Sequence, residues 1–250
     1  MSAPRTKGKS VYLSGDPELV REFGDLCAAA GYAVICAPGR GPAALPPGFR
    51  KSTVIPSTVL LGAELTNTDP ARKRKNLVAL DASLPARIPI LTSAVTVSVG
   101  EQASWVHRPA RLIGFGAFPT LLGGPLTEVT VSFSTAGPSL EITREFFGRL
   151  GKEISVIQDR VGLVMPRILC TLVNEAFFAL TENVATPGDI DTAMKLGTNH
   201  PRGPVEWANL VGIRHIVSTL NALRAATGEE RYRLAPLLQQ MSLEPETWNK

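Results

Sequence analysis

A chain of 250 residues, 44% of them hydrophobic, can bury the core of one large domain or two modest ones, which excludes a disordered tail or linker. Its 26 basic and 22 acidic residues leave a formal charge of +4 with no interleaving of basic and aromatic residues, so no nucleic-acid partner is expected. Three cysteines without disulfide or metal spacing, a polar start with no export signal and no apolar run of membrane-spanning length point to a metal-free cytoplasmic protein off the membrane.

Residues 11–13 form a short apolar run that predicts a buried strand. Leu19, Val20, Phe23, Leu26, Cys27 and Ala30 then recur at helical spacing, Gly31 ends that helix, and residues 32–36 supply the next strand. Strand, helix and strand in this order predict a right-handed parallel crossover and a doubly wound sheet. The Pro- and Gly-rich run over 37–56 predicts loop. Further strands are expected at 59–61, 88–91, 95–99, 112–115 and 129–133, and a last one at 154–157 after a helix over 139–150. That makes a sheet of about six to eight strands. The basic run Arg72, Lys73, Arg74 and Lys75 reads as the solvated face of a helix rather than a phosphate clamp.

From residue 161 the pattern is helical throughout, and a boundary near Asp159 divides the chain into residues 1–158 and 159–250. Ile168, Leu169, Leu172, Val173, Ala176, Phe177 and Leu180 make an apolar stripe wide enough to pack on another helix, in the same subunit or a partner. Thr186, Pro187 and Asp189 then act as cap, first-turn proline and first-turn acid of a new helix. Gly197 is expected to stop it. Gly203 and Pro204 open another, Gly212 breaks that one, and a final helix covers 213–226.

The segments GKEISVIQDRVGLVMPRIL and NEAFFALTENVATPGDIDTAMKLGTNHPRGPVEWANLVG carry Asp189, Ile190, Asp191, Ala193, Met194, Gly197, Pro201, Gly203 and Pro204 in a recognisable order. Over about residues 151–241 the chain resembles the C-terminal domain of the 3-hydroxyacyl-CoA dehydrogenases, 3-hydroxybutyryl-CoA dehydrogenases included. The first domain is similar from the AGY at 30–32 through the RLIGF at 111–115, with fewer matching motifs. The resemblance implies an α/β fold, in which a Rossmann-like, doubly wound N-terminal domain precedes an all-α dimerisation domain that closes the substrate cleft.

In that family NAD sits on a glycine-rich turn after the first strand, which demands a tight bend, close backbone approach and free helix N–H groups. The corresponding run here is Gly15, Asp16, Pro17, Glu18, Leu19, Val20. Gly15 is the one retained cofactor-binding position, while Pro17 and Val20 replace the second and third glycines. Pro17 removes a donor, Val20 adds a branched side chain at the helix–strand contact, and Asp16 and Glu18 bring negative charge to where a pyrophosphate would lie. Asp16 is expected to cap its own helix. Pro38 stands at the place of the ribose-binding acid, with Arg40 near it. No cofactor is therefore expected, NAD entering only if the family's activity survives.

By the same resemblance, Gly116 occupies the place of the general-base His and Glu128 that of the carboxylate orienting it. The active-site Ser falls at Val95, beside Thr96, and the Asn preceding Arg167 falls at Pro166. His107, His200 and His215 match no catalytic position. Glu128 is thus the one inherited catalytic residue, although a Glu opening an alternating strand also reads as a strand-end surface residue. A basic helical arm that helps hold CoA in the family is missing between the second strand and Val59. Three readings follow. The first is a divergent homologue impaired in NAD-dependent hydride transfer, acting as a dimeric, acyl-CoA-related binding or partner protein. The others are an enzyme of altered chemistry that uses Glu128 on a CoA ester or related acid, and an active dehydrogenase with a non-standard site. The expected partner is a second copy or a paralogue, docked through the C-terminal helices, and a CoA ester is the candidate ligand.

Overall fold

Six consecutive buried residues, Ser10–Gly15, form β1 at the heart of an eight-stranded sheet in a computed structural model that describes residues 8–38 and 45–243. Burial on both faces suits a central parallel strand. Val11 and Leu13 join one apolar cluster, and Tyr12 joins a second on the opposite face. In chain order there follow α1 (Pro17–Ala29), β2 (Ala33–Cys36), β3 (Phe49–Lys51), β4 (Val59–Leu65), α2 (Pro70–Ser83), β5 (Ile90–Ser93) and α3 (Val99–Ala103). The unit is completed by β6 (Leu112–Phe115), β7 (Leu126–Thr130), α4 (Gly137–Arg149) and β8 (Glu153–Ile157).

The strand order is β3-β2-β1-β4-β5-β6-β7-β8, and of the neighbouring pairs β6 and β7 run antiparallel while the others run parallel. The direction of winding reverses between β1 and β4, and the chain ends that meet there are the carboxyl ends of the strands. This is the doubly wound α/β fold expected from the opening strand, helix and strand. Phe23 of α1 packs with Phe115, Phe146 and Phe147 at ring-centroid distances of 5.4, 6.1 and 6.4 Å, which fastens α1 and α4 to the same face of the sheet. Burying each such ring is worth about 1.5–3 kcal/mol.

Two departures have local causes. β3 lies inside the Pro/Gly-rich stretch read as loop. A Cβ on Gly24 would lie 2.4 Å from the Phe49 ring, so the bare helix face at Gly24 admits that aromatic and lets residues 49–51 extend the sheet. The strand expected at 95–99 does not form. Instead the chain leaves the sheet after Ser93, and the buried Gln102 amide donates to Ser93 O (3.0 Å) and Val97 O (2.8 Å), holding residues 93–97 as a turn.

The structure separates into two compact units after Leu163. The second contains α5 (Met165–Thr181), α6 (Pro187–Thr198), α7 (Pro204–Val211), α8 (Ile213–Thr227) and α9 (Pro236–Leu243). Leu169, Cys170, Val173, Ala176 and Phe177 of α5 are buried, and α5 packs on α7, α8 and α9. α6 runs past Gly197 and stops at Asn199, whose φ of 55° supplies the left-handed cap. α9 was not expected from periodicity. It is anchored by Asn174 of α5, which donates to Arg233 O (2.8 Å) and accepts from Ala235 N (2.9 Å). No helix among the described residues is long and apolar enough to cross a membrane.

Candidate functional site

Ligands of open α/β sheets bind outside the carboxyl ends of the strands where the winding reverses. Here that edge is formed by Gly15, the end of β4, the end of β5 and the residues after β6. Gly15 has a φ of 147°, and a Cβ on it would sit 2.4 Å from the carbonyl carbon of Leu65. Glycine is therefore required there by the approach of β1 to β4, independently of any nucleotide.

Asp16 does not cap α1, contrary to the expectation: its side chain makes no hydrogen bond to that helix. The carboxylate, 1% exposed, turns instead to the segment after β4. It accepts from Asn67 N (2.8 Å), Thr68 N (3.2 Å) and Thr68 Oγ1 (3.0 Å), and pairs with the Arg72 guanidinium. Four donors converging on one buried carboxylate offset its desolvation. Pro17 opens α1 without an N–H, and Glu18 adds an exposed acid to the first turn.

The basic run is a solvated face only in part: Arg74 and Lys75 are exposed, with Arg74 over the Trp105 ring at 5.7 Å, but Arg72 holds Asp16 and Lys73 is wholly buried with Nζ 2.6 Å from Glu64 Oε2. Lys73 also donates to Thr66 O (3.1 Å), while Glu64 Oε1 accepts from Thr66 N (3.1 Å) and Asn76 Nδ2 (3.4 Å). Burial pushes the Glu64 carboxyl up, against the downward pull of the Lys73 ammonium and the Thr66 hydrogen bonds. Next to this pair, Asn67 Nδ2 donates to Ala117 O (2.7 Å) and Ser93 Oγ to Asn67 Oδ1 (2.5 Å). The segments following β4, β5 and β6 are thus sewn together by buried side chains. Sequence reasoning missed Glu64, Asn67, Ser93 and Gln102; for Glu64 and Ser93 the available signal was a polar residue lodged in an apolar run, and Asn67 and Gln102 carried none.

Gly116, just past β6, lies beside Glu128 of β7. The Gly116 N–H donates to Glu128 O at 2.9 Å, and a Cβ on Gly116 would meet Glu128 Cβ at 3.6 Å and Glu128 Oε2 at 3.8 Å. A side chain at position 116 would therefore project against the Glu128 carboxylate, which is the relation a base and its orienting acid require. Glu128 is half-buried and central in Leu126–Thr130, not at the start of a strand over 128–133; Phe133 lies beyond the strand and is fully exposed. Val95 is completely buried, and the adjacent Thr96 hydroxyl, also buried, finds no partner among the described residues. His107 precedes β6 while Gly116 follows it, so the strand separates them. Pro166 and Arg167 belong to the second unit, where Arg167 bonds the Tyr232 hydroxyl at 3.2 Å. Arg40 lies outside the described residues.

The motif richest in matches is built as a capping device. Asp191 of α6 is buried, and its carboxylate accepts from Val205 N (2.8 Å) and Glu206 N (3.0 Å) at the start of α7. A Cβ on Gly203 would sit 2.1 Å from Asp191 Oδ1, so glycine there is what lets the cap enter. Thr186 caps α6 by accepting from Asp189 N (3.2 Å), and Lys195 pairs with Glu206 at 2.6 Å. These contacts fix how α6 meets α7; they carry no chemistry.

Residues 162–250 match the C-terminal domain of 3-hydroxyacyl-CoA dehydrogenases. A 3-hydroxybutyryl-CoA dehydrogenase of Bradyrhizobium diazoefficiens is 32% identical over 166 residues, covering 66% of this chain and 57% of that protein. Its counterpart in Clostridioides difficile is 32% identical over 152 residues, 61% of this chain and 54% of the relative. The matched segment thus spans little more than half the length of these relatives. The crystal structure of (S)-3-hydroxybutyryl-CoA dehydrogenase from Ralstonia eutropha superposes with a TM-score of 0.77 at 23% identity, over 95% of this chain and 94% of that one. At that identity the likeness shows the fold.

Proposed function

Because the chain belongs to the 3-hydroxyacyl-CoA dehydrogenase family, we propose that it is a divergent member impaired in NAD-dependent hydride transfer, serving as a dimeric cytoplasmic binding or partner protein for acyl-CoA-related chemistry. The observation that carries this reading is Gly116, a residue with no side chain set against the Glu128 carboxylate. General-base catalysis by a positioned imidazole contributes about 10²–10⁴-fold, and glycine supplies none of it.

The residues at the nucleotide turn do not fit a pyrophosphate. The space released by Gly15 is taken by Leu65, Pro17 offers no N–H, and Glu18 stands exposed in the first turn of α1. The Asp16 carboxylate, with Arg72 bound to it, occupies the ground between α1 and the segment after β4. Self-association is proposed through the second unit, where Val164, Met165 and Ile168 leave an exposed apolar flank on α5 beside its buried face. A second copy or a paralogue would use the same flank. Light scattering of the full chain at micromolar concentration tests this, and a monomeric mass contradicts it.

Stoichiometric NADH binding, or turnover of acetoacetyl-CoA with NADH, would overturn the loss of hydride transfer. A second reading is favoured by the half-buried Glu128, whose Oε2 lies 3.8 Å from where a Cβ on Gly116 would stand. In that reading Glu128 acts alone as acid or base on a CoA ester. Conversion of a CoA ester that Glu128→Gln abolishes supports it; no conversion across a panel of esters rejects it.

A further inference from the structure

A cavity of about 270 Å³ opens at the other edge of the sheet, where β1, β4 and β5 begin. Leu60, Ile88, Ile142 and Phe146 give it apolar walls. Three cations, Lys9, Arg87 and Arg149, also line it, against one acid, Glu145, which lies 3.6 Å from Arg149. Lys9 and Arg87 make no ion pair among the described residues, so the cavity keeps an excess of positive charge. Tyr32 lines it as well. Its ring packs on Phe146 at 5.4 Å, yet its buried hydroxyl has no hydrogen-bond partner among the described residues. A buried tyrosine hydroxyl ordinarily finds a partner, because leaving it unpaired forfeits its solvation.

We propose that this cavity binds a short-chain aliphatic carboxylate, with its chain on the apolar walls and its carboxylate accepting a hydrogen bond from the Tyr32 hydroxyl beside Lys9 and Arg87. The volume falls just below the range of drug-sized pockets, about 300–1,000 Å³, which suits a small ligand. A multiply charged phosphate would lose its hydration against these walls. The site lies away from the Gly15 and Glu128 edge, and it stands or falls independently of the catalytic reading.

Titration calorimetry of the full chain with hexanoate, with hexanol as the uncharged control, tests the proposal. Saturable binding of one hexanoate per chain is expected. Tyr32→Phe and Arg87→Ala should each weaken it about tenfold or more, since each removes a donor to a charged group. Hexanol binding should be insensitive to Arg87→Ala. Unliganded Tyr32→Phe should melt no lower than the parent, which separates lost binding from lost fold. No saturable heat with hexanoate, or an affinity that either substitution leaves unchanged, overturns the proposal.

Discussion

Gly116→His would place a Cβ where the first unit admits one without a clash. A Cβ at this position meets nothing closer than Leu163 Cδ1 at 3.5 Å, and the Glu128 contacts at 3.6 and 3.8 Å are ordinary van der Waals distances. Gly116 is not among the positive-φ glycines, so an L side chain carries no backbone strain there. Loss of glycine from the unfolded chain favours folding by about 0.4–1 kcal/mol, and the melting temperature should hold or rise. The imidazole would then lie within hydrogen-bond reach of the Glu128 carboxylate. Two unit charges about 4 Å apart attract by roughly 4 kcal/mol at an effective dielectric near 20. Solvent at the half-buried Glu128 reduces this to the order of 1.4 kcal/mol, which is about one pKa unit. NMR titration should find the introduced imidazole protonating about one pH unit above its usual value near 6.5, with the rise abolished by adding Glu128→Gln. Identical titration in the two variants would refute the assigned geometry. NADH-dependent reduction of acetoacetyl-CoA should stay absent in Gly116→His, because the turn at Gly15 is unchanged.

Asp191→Ala should cost about 0.5–2 kcal/mol through the lost α7 cap, and Gly203→Ala should cost more in the parent than in the Asp191→Ala background, since its Cβ would strike Asp191 Oδ1. Urea melts of the double-mutant cycle check both. Lys73→Met leaves Glu64 buried without its ion, a loss of about 3–5 kcal/mol. Because burial holds the Glu64 carboxyl above its ordinary range, folding favours the protonated form. Stability of Lys73→Met should therefore be highest in acid and fall as pH rises from the unfolded glutamate value through the folded one. Glu64→Gln added to Lys73→Met should flatten that slope, and a slope of opposite sign would contradict the burial argument.

The doubly wound sheet and the helical second half were legible because β1 and β4 are continuous apolar runs buried on both faces while the buried residues of α1 and α5 repeat at helix spacing. What it could not reveal depends on partners distant in sequence. Asp16 has the residue type and position of a helix cap, but three donors on residues 67–68 and the Arg72 guanidinium outcompete α1 for it. Lys73 sits in a run that reads as solvated, and only the fold brings Glu64 beneath it. The strand at 49–51 pairs with β2 and seats Phe49 against the bare face of Gly24, with no period in the sequence to reveal it. At the candidate site, Glu128 and Gly15 could be named from motif order. That Gly116 directly adjoins Glu128 follows only from the antiparallel pairing of β6 with β7.

Isothermal titration of NADH into the full chain tests the central claim most directly. The substituted turn from Gly15 to Val20, with Pro17 opening α1 and Asp16 committed to Asn67, Thr68 and Arg72, predicts no saturable heat even at millimolar NADH. A stoichiometric, micromolar NADH isotherm would contradict the account.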